Sequence, residues 1–163
     1  MSDERLMEFE FLHHAPEHAT SIAEWYFQEW GKGAGGSSRE TVLEALSDYC
    51  LDTPSIPLAV LALEGKELWG VCQLKHHELQ DAFPALTPWL GGVYVRSDRR
   101  GRRIASTLVS HTVAVASGLG LAQLYLQTSR LDGGFYRKLG WVPITSHESS
   151  AGEVLIMQRG TDA

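Results

Sequence analysis

Hydrophobic and polar positions follow two different spacings along the first part of the chain. Near its start, apolar residues alternate with glutamates, and this period of two predicts a strand over residues 7–11. Apolar residues then recur at helical spacing, which predicts a helix from Pro16 to Gly31. A second helix is expected after Ser37, which would cap it in a capping box with Glu40. The buried face predicted for that helix consists of Val42, Leu43, Ala45, Leu46 and Tyr49.

The middle of the chain has the longest apolar segments. A continuous apolar run at residues 58–63 predicts a strand that is covered on both faces. A short turn and a second apolar segment, residues 68–74, then predict an antiparallel hairpin. Residues 90–95, 104–119 and 121–127 predict a strand, an amphipathic helix and a further strand. In such a unit the two strands are parallel and the crossover between them is right-handed.

The last part of the chain predicts a short helix and two more strands. The helix is expected over residues 135–139, between glycines, and the strands over residues 141–144 and 154–157. The polar connection at residues 146–152 is expected to be a surface turn. The chain has 163 residues and no internal repeat, so residues 1–163 are expected to form a single domain.

The composition is that of an ordinary globular protein, with 44% hydrophobic and 21% charged residues. The net charge of −6 argues against a nucleic-acid-binding protein, which would normally carry a whole basic face. The two cysteines, Cys50 and Cys72, lie in apolar segments without paired spacing, which favours buried thiols in a reducing compartment. The sequence contains neither a signal-peptide pattern nor an apolar run of about eighteen residues, so a cytoplasmic protein without membrane contact is expected.

A dense group of arginines follows the strand predicted at residues 90–95. Arg99, Arg100, Arg102 and Arg103 occupy the turn before the next helix. A strand that enters a helix through such a turn aims unpaired backbone N–H groups at one point, and the helix dipole adds partial positive charge there. The turn is therefore predicted to bind a phosphate or pyrophosphate group.

Three other segments are also candidates for a functional site, and the first two have a simpler explanation. Residues 31–36 match G-x-G-x-x-G, but a helix precedes them where a strand is required, which favours a flexible linker that would gate a substrate cleft. His76 and His77 are adjacent at the end of a strand and would point in opposite directions, which argues against a metal site. Residues 83–89 are either a packed connection or a wall of the substrate pocket.

Two segments together resemble the GCN5-related N-acetyltransferase (GNAT) superfamily. Arg100-Gly101-Arg102-Arg103-Ile104-Ala105 is similar to that family's acetyl-coenzyme A loop, Arg/Gln-x-x-Gly-x-Gly/Ala, and Phe135-Tyr136-Arg137-Lys138-Leu139-Gly140-Trp141 is similar to its Tyr-x-x-x-Gly-Phe/Trp segment. The resemblance extends from Phe9 to Met157 and includes the Thr-Pro-Trp-Leu sequence at residues 87–90 of small bacterial-type members. Arg103 departs from the family pattern, which has a glycine at this position. A glycine there lets the backbone approach the pyrophosphate or relaxes its dihedral angles.

The resemblance implies both a fold and an activity. The fold is α+β in three layers: a mixed, mostly antiparallel sheet of about six to seven strands, flanked by about four helices, in which the parallel fourth and fifth strands splay apart. The activity is transfer of an acetyl group from acetyl-coenzyme A to a primary amine, by direct attack in a ternary complex. Acetyl-coenzyme A or coenzyme A is then the cosubstrate, and no metal is expected.

The same resemblance implies roles for individual residues. The pyrophosphate would lie on backbone N–H groups of the loop: Arg100, Gly101, Arg102, Arg103, Ile104 and Ala105, followed by Ser106. The pantetheine arm would pair with the backbone of Tyr94, Val95 and Arg96, and an N–H near Tyr94 would polarise the thioester carbonyl. Tyr136 would be the general acid that protonates the departing thiolate.

Two residues are candidates for the general base, Glu78 and His77, and both follow the third predicted strand. A glutamate there would relay the proton through water, whereas histidine is the residue type that titrates closest to neutral pH. Glu78 and Asp81 would favour a cationic acceptor; the candidates are polyamines, aminoglycosides, amino-acid derivatives, and the N-terminus or a lysine of a protein. The sequence leaves open whether the protein forms a homodimer. The alternatives are a non-catalytic coenzyme A-binding or interaction module of the same fold, and nucleic-acid binding through the arginines.

Overall fold

A seven-stranded mixed sheet forms the centre of the computed structural model, which describes residues 7–31, 37–52 and 55–163. The strands are β1 (Glu8–Phe11), β2 (Leu58–Glu64), β3 (Glu67–Lys75), β4 (Trp89–Val95), β5 (Gln123–Thr128), β6 (Val142–Ser149) and β7 (Gly152–Gly160). Their order in the sheet is β1-β2-β3-β4-β5-β7-β6. The α-helices of the described residues are α1 (Ala19–Tyr26), α2 (Arg39–Ala45), α3 (Ile104–Gly118) and α4 (Gly134–Lys138). This confirms the α+β fold that the resemblance implies.

The hairpin of β2 and β3 lies in the buried middle of the sheet. Every residue of the apolar run at positions 58–63 is buried, as that run predicts. Successive side chains of a strand point to opposite faces, so the run supplies two cores. Leu58, Val60 and Ala62 pack with α3 on one face, while Ala59, Leu61 and Leu63 pack with α1 on the other. Helices therefore cover the sheet on both sides, which gives the three layers expected.

β4 and β5 are parallel, but within residues 55–163 they pair at one position only. That position joins Trp89 to Tyr125, and the Tyr125 N–H donates to the carbonyl of Pro88 at 3.1 Å. On their outer sides β4 pairs with β3 and β5 pairs with β7. Beyond Trp89 the two strands diverge and leave an opening between them. The splayed parallel pair is confirmed.

β4 contains a bulge at this opening. Residues 71 and 73 of β3 pair with residues 94 and 91 of β4, so Gly92 and Val93 lie opposite the single residue Cys72. Gly92 has a φ of +57°, in the left-handed region that favours glycine. A Cβ on it would lie 2.6 Å from both the Tyr26 hydroxyl and Gln73 Oε1. Glycine is therefore required at this bulge.

The N-cap predicted for α2 is wrong by one residue. Ser38 caps the helix: the Thr41 N–H donates to Ser38 Oγ at 3.1 Å, and the Ser38 N–H donates to Thr41 Oγ1 at 2.8 Å. Thr41 takes the part predicted for Glu40 because its hydroxyl lies at the third helical position counted from Ser38. The capping box exists, with the cap at Ser38 where Ser37 was expected.

The buried face predicted for the same helix is also wrong in part. Leu43 is 40% exposed and Ala45 is exposed, whereas Leu46 is buried. The α-helix ends at Ala45, and the chain continues as a 3-10 turn over Leu46–Cys50. Val42, Leu46 and Tyr49 share one core cluster, whereas Leu43 and Ala45 are adjacent to two of these residues and therefore lie on another side of the helix.

The surface turn predicted at residues 146–152 is mostly strand. Ser146, His147 and Glu148 of β6 pair with Leu155, Val154 and Glu153 of β7, which leaves a two-residue connection at residues 150–151. Strand pairing uses backbone groups, so the exposed end of a hairpin can be polar in sequence and still be paired. The polar composition of this segment therefore led to the wrong prediction of a turn.

No helix among the described residues is both long enough and apolar enough to cross a membrane.

Candidate active site

The turn between β4 and α3 lines a cleft of about 320 Å³, which we call the loop cleft. A 3-10 turn, Ser97–Arg99, follows β4, and Arg103 is the N-cap of α3 without a side-chain cap. The first N–H groups of a helix have no partner within the helix, so the start of α3 offers donors to a ligand. The residues that line the loop cleft are Glu29, Trp30, Val93, Tyr94, Val95, Arg99, Arg100, Gly101, Arg103, Ile104, Ala105, Ser106, Phe135 and Tyr136.

Arg96 and Arg102 are the two predicted cofactor-binding residues outside this lining. The Arg96 N–H donates to the carbonyl of Trp69 at 2.8 Å, so it belongs to the pairing of β4 with β3. The Arg96 guanidinium forms ion pairs with Glu67 and Asp98. Both its backbone and its side chain therefore hold the loop in place, whereas a ligand would be held by the neighbouring residues. Arg102 is exposed.

Arg99 joins the same ion-pair cluster and also lines the loop cleft. Its guanidinium lies 4.7 Å from the centre of the Trp69 ring, and its terminal nitrogen lies 3.3 Å from Glu67 Oε1. Hydrogen bonds from Arg96, Trp69 and Arg99 lower the pKa of the Glu67 carboxyl, so it stays charged. The cluster fixes the base of the loop to β3.

Arg100 is held at the mouth of the loop cleft by two contacts. Its Nε donates to the carbonyl of Val95 at 3.0 Å, and its guanidinium lies 5.0 Å from the centre of the Tyr94 ring. A cation over an aromatic face is attracted to the ring while its remaining N–H groups stay available. The charge of Arg100 is therefore placed beside the start of α3 before any ligand arrives.

Arg103 has the left-handed backbone that the family's glycine would adopt. Its φ is +61° and its ψ is +16°, and its carbonyl accepts hydrogen bonds from the N–H and the hydroxyl of Thr107. Residues with a Cβ are disfavoured in this region by about 1–2 kcal/mol relative to the right-handed conformation. The replacement of glycine by arginine therefore places a cation at the cleft at some cost in backbone strain.

Replacing Arg103 with glycine is expected to give a more stable protein than replacing it with alanine, by about 1 kcal/mol in the free energy of unfolding. Both variants lose the guanidinium, but only alanine keeps the unfavourable backbone conformation. Urea denaturation of the two variants measures the difference. Equal stabilities would show that the φ of +61° carries no strain.

A second and larger cleft of about 760 Å³ lies along the opening between β4 and β5, and we call it the strand cleft. Its lining residues are Tyr26, Glu29, Trp30, Gly31, Ser37, Val42, Gln73, Lys75, Glu78, Leu90, Gly91, Gly92, Val93, Leu126, Gln127, Thr128, Ser129, Tyr136, Ser149, Ala151, Glu153 and Val154. Of the residues that the structure describes, four line both clefts: Glu29, Trp30, Val93 and Tyr136. The two clefts therefore meet at the bulge of β4.

Tyr136 stands at this junction on the short helix α4. Its ring packs against those of Phe135 and Trp141, with centres 4.3 and 6.3 Å away, and the Trp141 N–H donates to its carbonyl at 3.1 Å. Burial raises the pKa of the Tyr136 phenol well above its usual range, with smaller contributions from Cys72 and Glu78. The hydroxyl is therefore a neutral hydrogen-bond donor at all pH values at which the protein would work.

Glu78 brings its carboxylate to β4 from the end of β3. Its Oε2 lies 3.1 Å from Lys75 Nζ, and its Oε1 accepts a hydrogen bond from Gln127 Nε2 at 3.4 Å. A Cβ on Gly91 would lie 2.7 Å from Oε2, so the missing side chain of that glycine makes the space for this carboxylate. The structure thus places a carboxylate over β4, although the sequence of β4 contains no acidic residue.

His77 is not among the residues that line the strand cleft. Its Nδ1 is buried and has no hydrogen-bond partner among the described residues. The segment at residues 83–89 is the packed connection: Phe83, Leu86 and Trp89 pack with Tyr125 and Ile156. Residues 32–36 of the glycine-rich segment lie outside the described residues, and Gly31 lines the strand cleft.

Sequence reasoning missed Glu29, Trp30 and the glycine pair of β4 as parts of the site. Trp30 is 54% exposed, and its ring lies near those of Tyr26 and Tyr94. The pair Gly91-Gly92 was a usable signal, because glycine inside an apolar strand often marks a bulge or a close approach. No local pattern distinguishes Glu29 or Trp30 from other residues of a surface helix.

Comparisons with known proteins agree with this architecture. A sequence model of the Acetyltransferase (GNAT) family matches residues 19–141. Among solved structures, an aminoglycoside 6'-acetyltransferase type Ii is 21% identical, with a TM-score of 0.71 over 96% of this chain and 98% of the other. An aminoglycoside 6'-N-acetyltransferase complexed with coenzyme A is 19% identical, with a TM-score of 0.67 over 91% and 93%. An acetyltransferase of the GNAT family from Streptococcus pneumoniae is 15% identical, with a TM-score of 0.68 over 94% and 99%.

These structural likenesses show a shared fold. No curated protein sequence matches the chain.

Proposed function

The chain belongs to the acetyltransferase (GNAT) family, and on that premise we propose that it moves an acetyl group from acetyl-coenzyme A to a primary amine by direct attack. One observation carries the proposal: Tyr136 lies where the loop cleft meets the strand cleft. A thioester that enters through the loop cleft and an amine that enters through the strand cleft would meet beside its hydroxyl.

The loop cleft would hold the coenzyme. Its pyrophosphate would accept hydrogen bonds from the backbone N–H groups of residues 100–106, with the charges of Arg100 and Arg103 nearby. The pantetheine arm would lie along residues 93–95, where β4 has no partner strand on the side of β5. Arg96 is left out of this set because its N–H is bonded to β3. A protein with the same fold is known as a complex with coenzyme A, which supports coenzyme A as the ligand.

The bulge of β4 would stabilise the negative charge that develops on the thioester oxygen. A bulge takes one residue out of the regular ladder, which frees a backbone N–H for other partners. Val93 is at that bulge and lines both clefts. An N–H fixed there before the reaction lowers the barrier because it needs no reorientation as charge appears.

Tyr136 would donate a hydrogen bond to the departing thiolate. At reference values a phenol has a pKa of about 10 and a thiol about 8.5, so proton transfer from Tyr to thiolate is uphill by about 2 kcal/mol. Burial raises the pKa of Tyr136 further, which makes an early transfer less favourable still. The hydrogen bond therefore forms first, and the proton follows as the carbon–sulfur bond breaks.

Direct attack is favoured over an acetyl-cysteine intermediate. Cys72 is fully buried, and burial raises the pKa of its thiol to about 12. Burial also raises the pKa of the Cys50 thiol. A thiolate is the reactive form of cysteine, so neither residue is suited to accept the acetyl group.

Glu78 would be the general base, acting through a water molecule. An alkyl ammonium, with a pKa of about 10.4 for lysine, must lose a proton before it attacks. The Glu78 carboxylate lies over Gly91 and lines the strand cleft, through which the amine would enter. His77 does not line this cleft, so Glu78 is the stronger of the two candidates.

The acceptor would be a small molecule with more than one amine. Among the described residues, the strand cleft is lined by three carboxylates, Glu29, Glu78 and Glu153, and by one ammonium, Lys75, which is paired with Glu78. An acceptor with a second positive charge would complement Glu29 and Glu153. The aminoglycoside acetyltransferases of the same fold are named for substrates of this kind.

Replacing Glu153 with glutamine is expected to raise KM for a diamine about 3- to 10-fold, with kcat unchanged and KM for a monoamine unchanged. The reason is that Glu153 would hold the charge that does not react. Glu148 pairs with Glu153 in the adjacent strand and does not line the strand cleft, so Glu148→Gln is the matched control. Equal effects on both amines would contradict a role in acceptor selection.

The proposed activity is tested with a panel of amines, by following the free thiol released from acetyl-coenzyme A and the mass of the product. Release that depends on a multiply charged amine is expected. Coenzyme A binding without release across the whole panel would instead support the non-catalytic binding module. A shift of DNA or RNA mobility that salt abolishes would support the nucleic-acid alternative.

A further inference from the structure

Two histidines and an aspartate converge at a place that neither cleft includes. His13 and His14 lie on a 3-10 turn, Leu12–His14, directly after β1, and Asp52 follows the 3-10 turn Leu46–Cys50. His13 Nε2 is 3.6 Å from Asp52 Oδ1, and His14 Nε2 is 3.9 Å from the same oxygen. All three candidate ligand atoms lie within 4.8 Å of one another.

The 3-10 turn is what allows two adjacent histidines to face one point. Adjacent side chains of a strand point in opposite directions, whereas those of a 3-10 helix are about 120° apart around the axis. The rings of His13 and His14 are 4.3 Å apart, with an angle of 79° between their planes. The pair His76–His77, which the sequence makes equally prominent, is not part of such a cluster among the described residues.

The rings are held in position by their surroundings. The side chain of His13 is 7% exposed, and its ring stacks on Phe11 at 5.0 Å. His14 Nδ1 lies 3.0 Å from Glu10 Oε1, which also accepts a hydrogen bond from the Phe11 N–H at 2.9 Å. A carboxylate on the second nitrogen of a histidine orients the ring and leaves Nε2 free to bind a metal.

The distances fit an ion better than they fit a set of hydrogen bonds. Both imidazole nitrogens are too far from Asp52 Oδ1 for a hydrogen bond, which needs about 2.7–3.2 Å. A point equally distant from the three atoms lies at most about 2.4 Å from each, and zinc binds histidine nitrogen and carboxylate oxygen at about 2.0–2.2 Å. A movement of a few tenths of an ångström would close the site.

We propose that His13, His14 and Asp52 bind one divalent transition-metal ion of the zinc class, with water in the remaining coordination positions. Imidazole ligands select zinc, nickel or copper over magnesium and calcium, which prefer oxygen. The ion would join the turn after β1 to the segment after α2. It would stabilise the folded chain without entering the acetyl-transfer reaction, since none of its ligands lines either cleft.

A missing hydrogen bond limits the affinity of the proposed site for zinc. His13 Nδ1 is buried and has no hydrogen-bond partner among the described residues. A histidine that binds metal through Nε2 carries its proton on Nδ1, and loss of a partner for that proton typically lowers metal affinity about 10- to 100-fold. We therefore expect a dissociation constant for zinc of about 1–10 µM, which is weaker than that of a four-ligand structural site.

The test is equilibrium dialysis of the untagged protein against Zn²⁺, with the bound metal measured by mass spectrometry, and a thermal melt with and without Zn²⁺. The expected result is one equivalent bound per chain and a rise in Tm of about 5–10 °C at 100-fold excess over the dissociation constant. His14→Gln and Asp52→Asn should each weaken binding at least about 10-fold and remove the rise in Tm. Both residues are exposed, so these variants should fold, which circular dichroism checks.

His76→Gln is the matched control, because it removes an exposed member of the other adjacent histidine pair. It should leave zinc binding and the rise in Tm unchanged. The proposal is overturned if zinc does not bind at 100 µM, or if binding persists in both His14→Gln and Asp52→Asn. It is also overturned if His76→Gln removes binding as effectively as those variants. Acetyl transfer has no part in any of these readouts.

Discussion

Replacing Tyr136 with phenylalanine is expected to lower kcat about 100- to 1,000-fold while KM for acetyl-coenzyme A changes less than about 2-fold. Phenylalanine keeps the ring contacts with Phe135 and Trp141 and removes only the hydroxyl. Binding of the coenzyme would depend on the loop cleft, so only the step in which the thiolate departs should suffer. Steady-state kinetics with thiol release as the signal measures both constants.

Two further measurements separate a catalytic role of Tyr136 from a structural one. A thioester donor with a more acidic thiol should recover much of the lost rate in Tyr136→Phe, because its thiolate needs less stabilisation. Tyr125→Phe removes the hydroxyl of a buried tyrosine outside both clefts and should leave kcat unchanged. A Tyr136→Phe enzyme with full kcat would show that this hydroxyl is not the acid.

The pH profile of the unmodified enzyme provides an independent check on Tyr136. Because burial raises the pKa of this phenol, its neutral form persists above pH 10, and its ionisation removes no activity at lower pH. The rate should therefore rise with pH as the acceptor amine loses its proton, and should not fall again below about pH 10 on account of Tyr136. The descending limb, if any, should be the same in Tyr136→Phe.

Replacing Glu78 with glutamine is expected to lower kcat/KM for the amine about 100-fold at pH 7, with a loss that shrinks as the pH rises toward 10. At neutral pH the amine is protonated and needs a base, whereas near its own pKa of about 10 the free amine is present without help. Rates measured from pH 6.5 to about pH 10 reveal the convergence. A purely structural role of Glu78 would produce the same loss at every pH.

Two variants serve as controls for the Glu78 prediction. Gly91→Ala keeps the carboxylate but forces it away from β4, because the new Cβ would lie 2.7 Å from Oε2. It should lower kcat/KM in the same direction as Glu78→Gln. His77→Gln should change kcat/KM less than about 3-fold, since His77 does not line the strand cleft. A larger loss in His77→Gln than in Glu78→Gln would assign the base to the histidine.

The order of the elements could be predicted because local patterns encode it. The alternation at residues 7–11, the apolar run at residues 58–63 and the helical spacing of α3 each depend on neighbours in sequence. The errors fall where geometry changes along a single element. α2 gives way to a 3-10 turn after Ala45, and Leu43 is exposed although the buried face predicted for this helix includes it. The polar end of the β6–β7 hairpin is paired although its composition indicates a loop.

The loop between β4 and α3 could likewise be predicted as an anion site, because a strand, a turn and a helix start are contiguous in sequence. The sequence could not predict which of the arginines line the cleft. Arg96 does not line the loop cleft, and its guanidinium is paired with Glu67 on β3, a partner far away in the chain. Side-chain direction in a loop depends on such contacts, and the sequence of the loop does not contain them.

The amino-acid sequence is sufficient to predict the layered fold, the strand–loop–helix unit with its N–H donors, and Tyr136 as the candidate acid. Each follows from periodicity, from contiguous motifs, or from the family resemblance that those motifs carry. Three features depend on the folded chain: Tyr136 stands where two clefts meet, Glu78 lies over Gly91, and His13 and His14 face Asp52. These are contacts between segments distant in sequence, and they exist only once the sheet has brought the segments together.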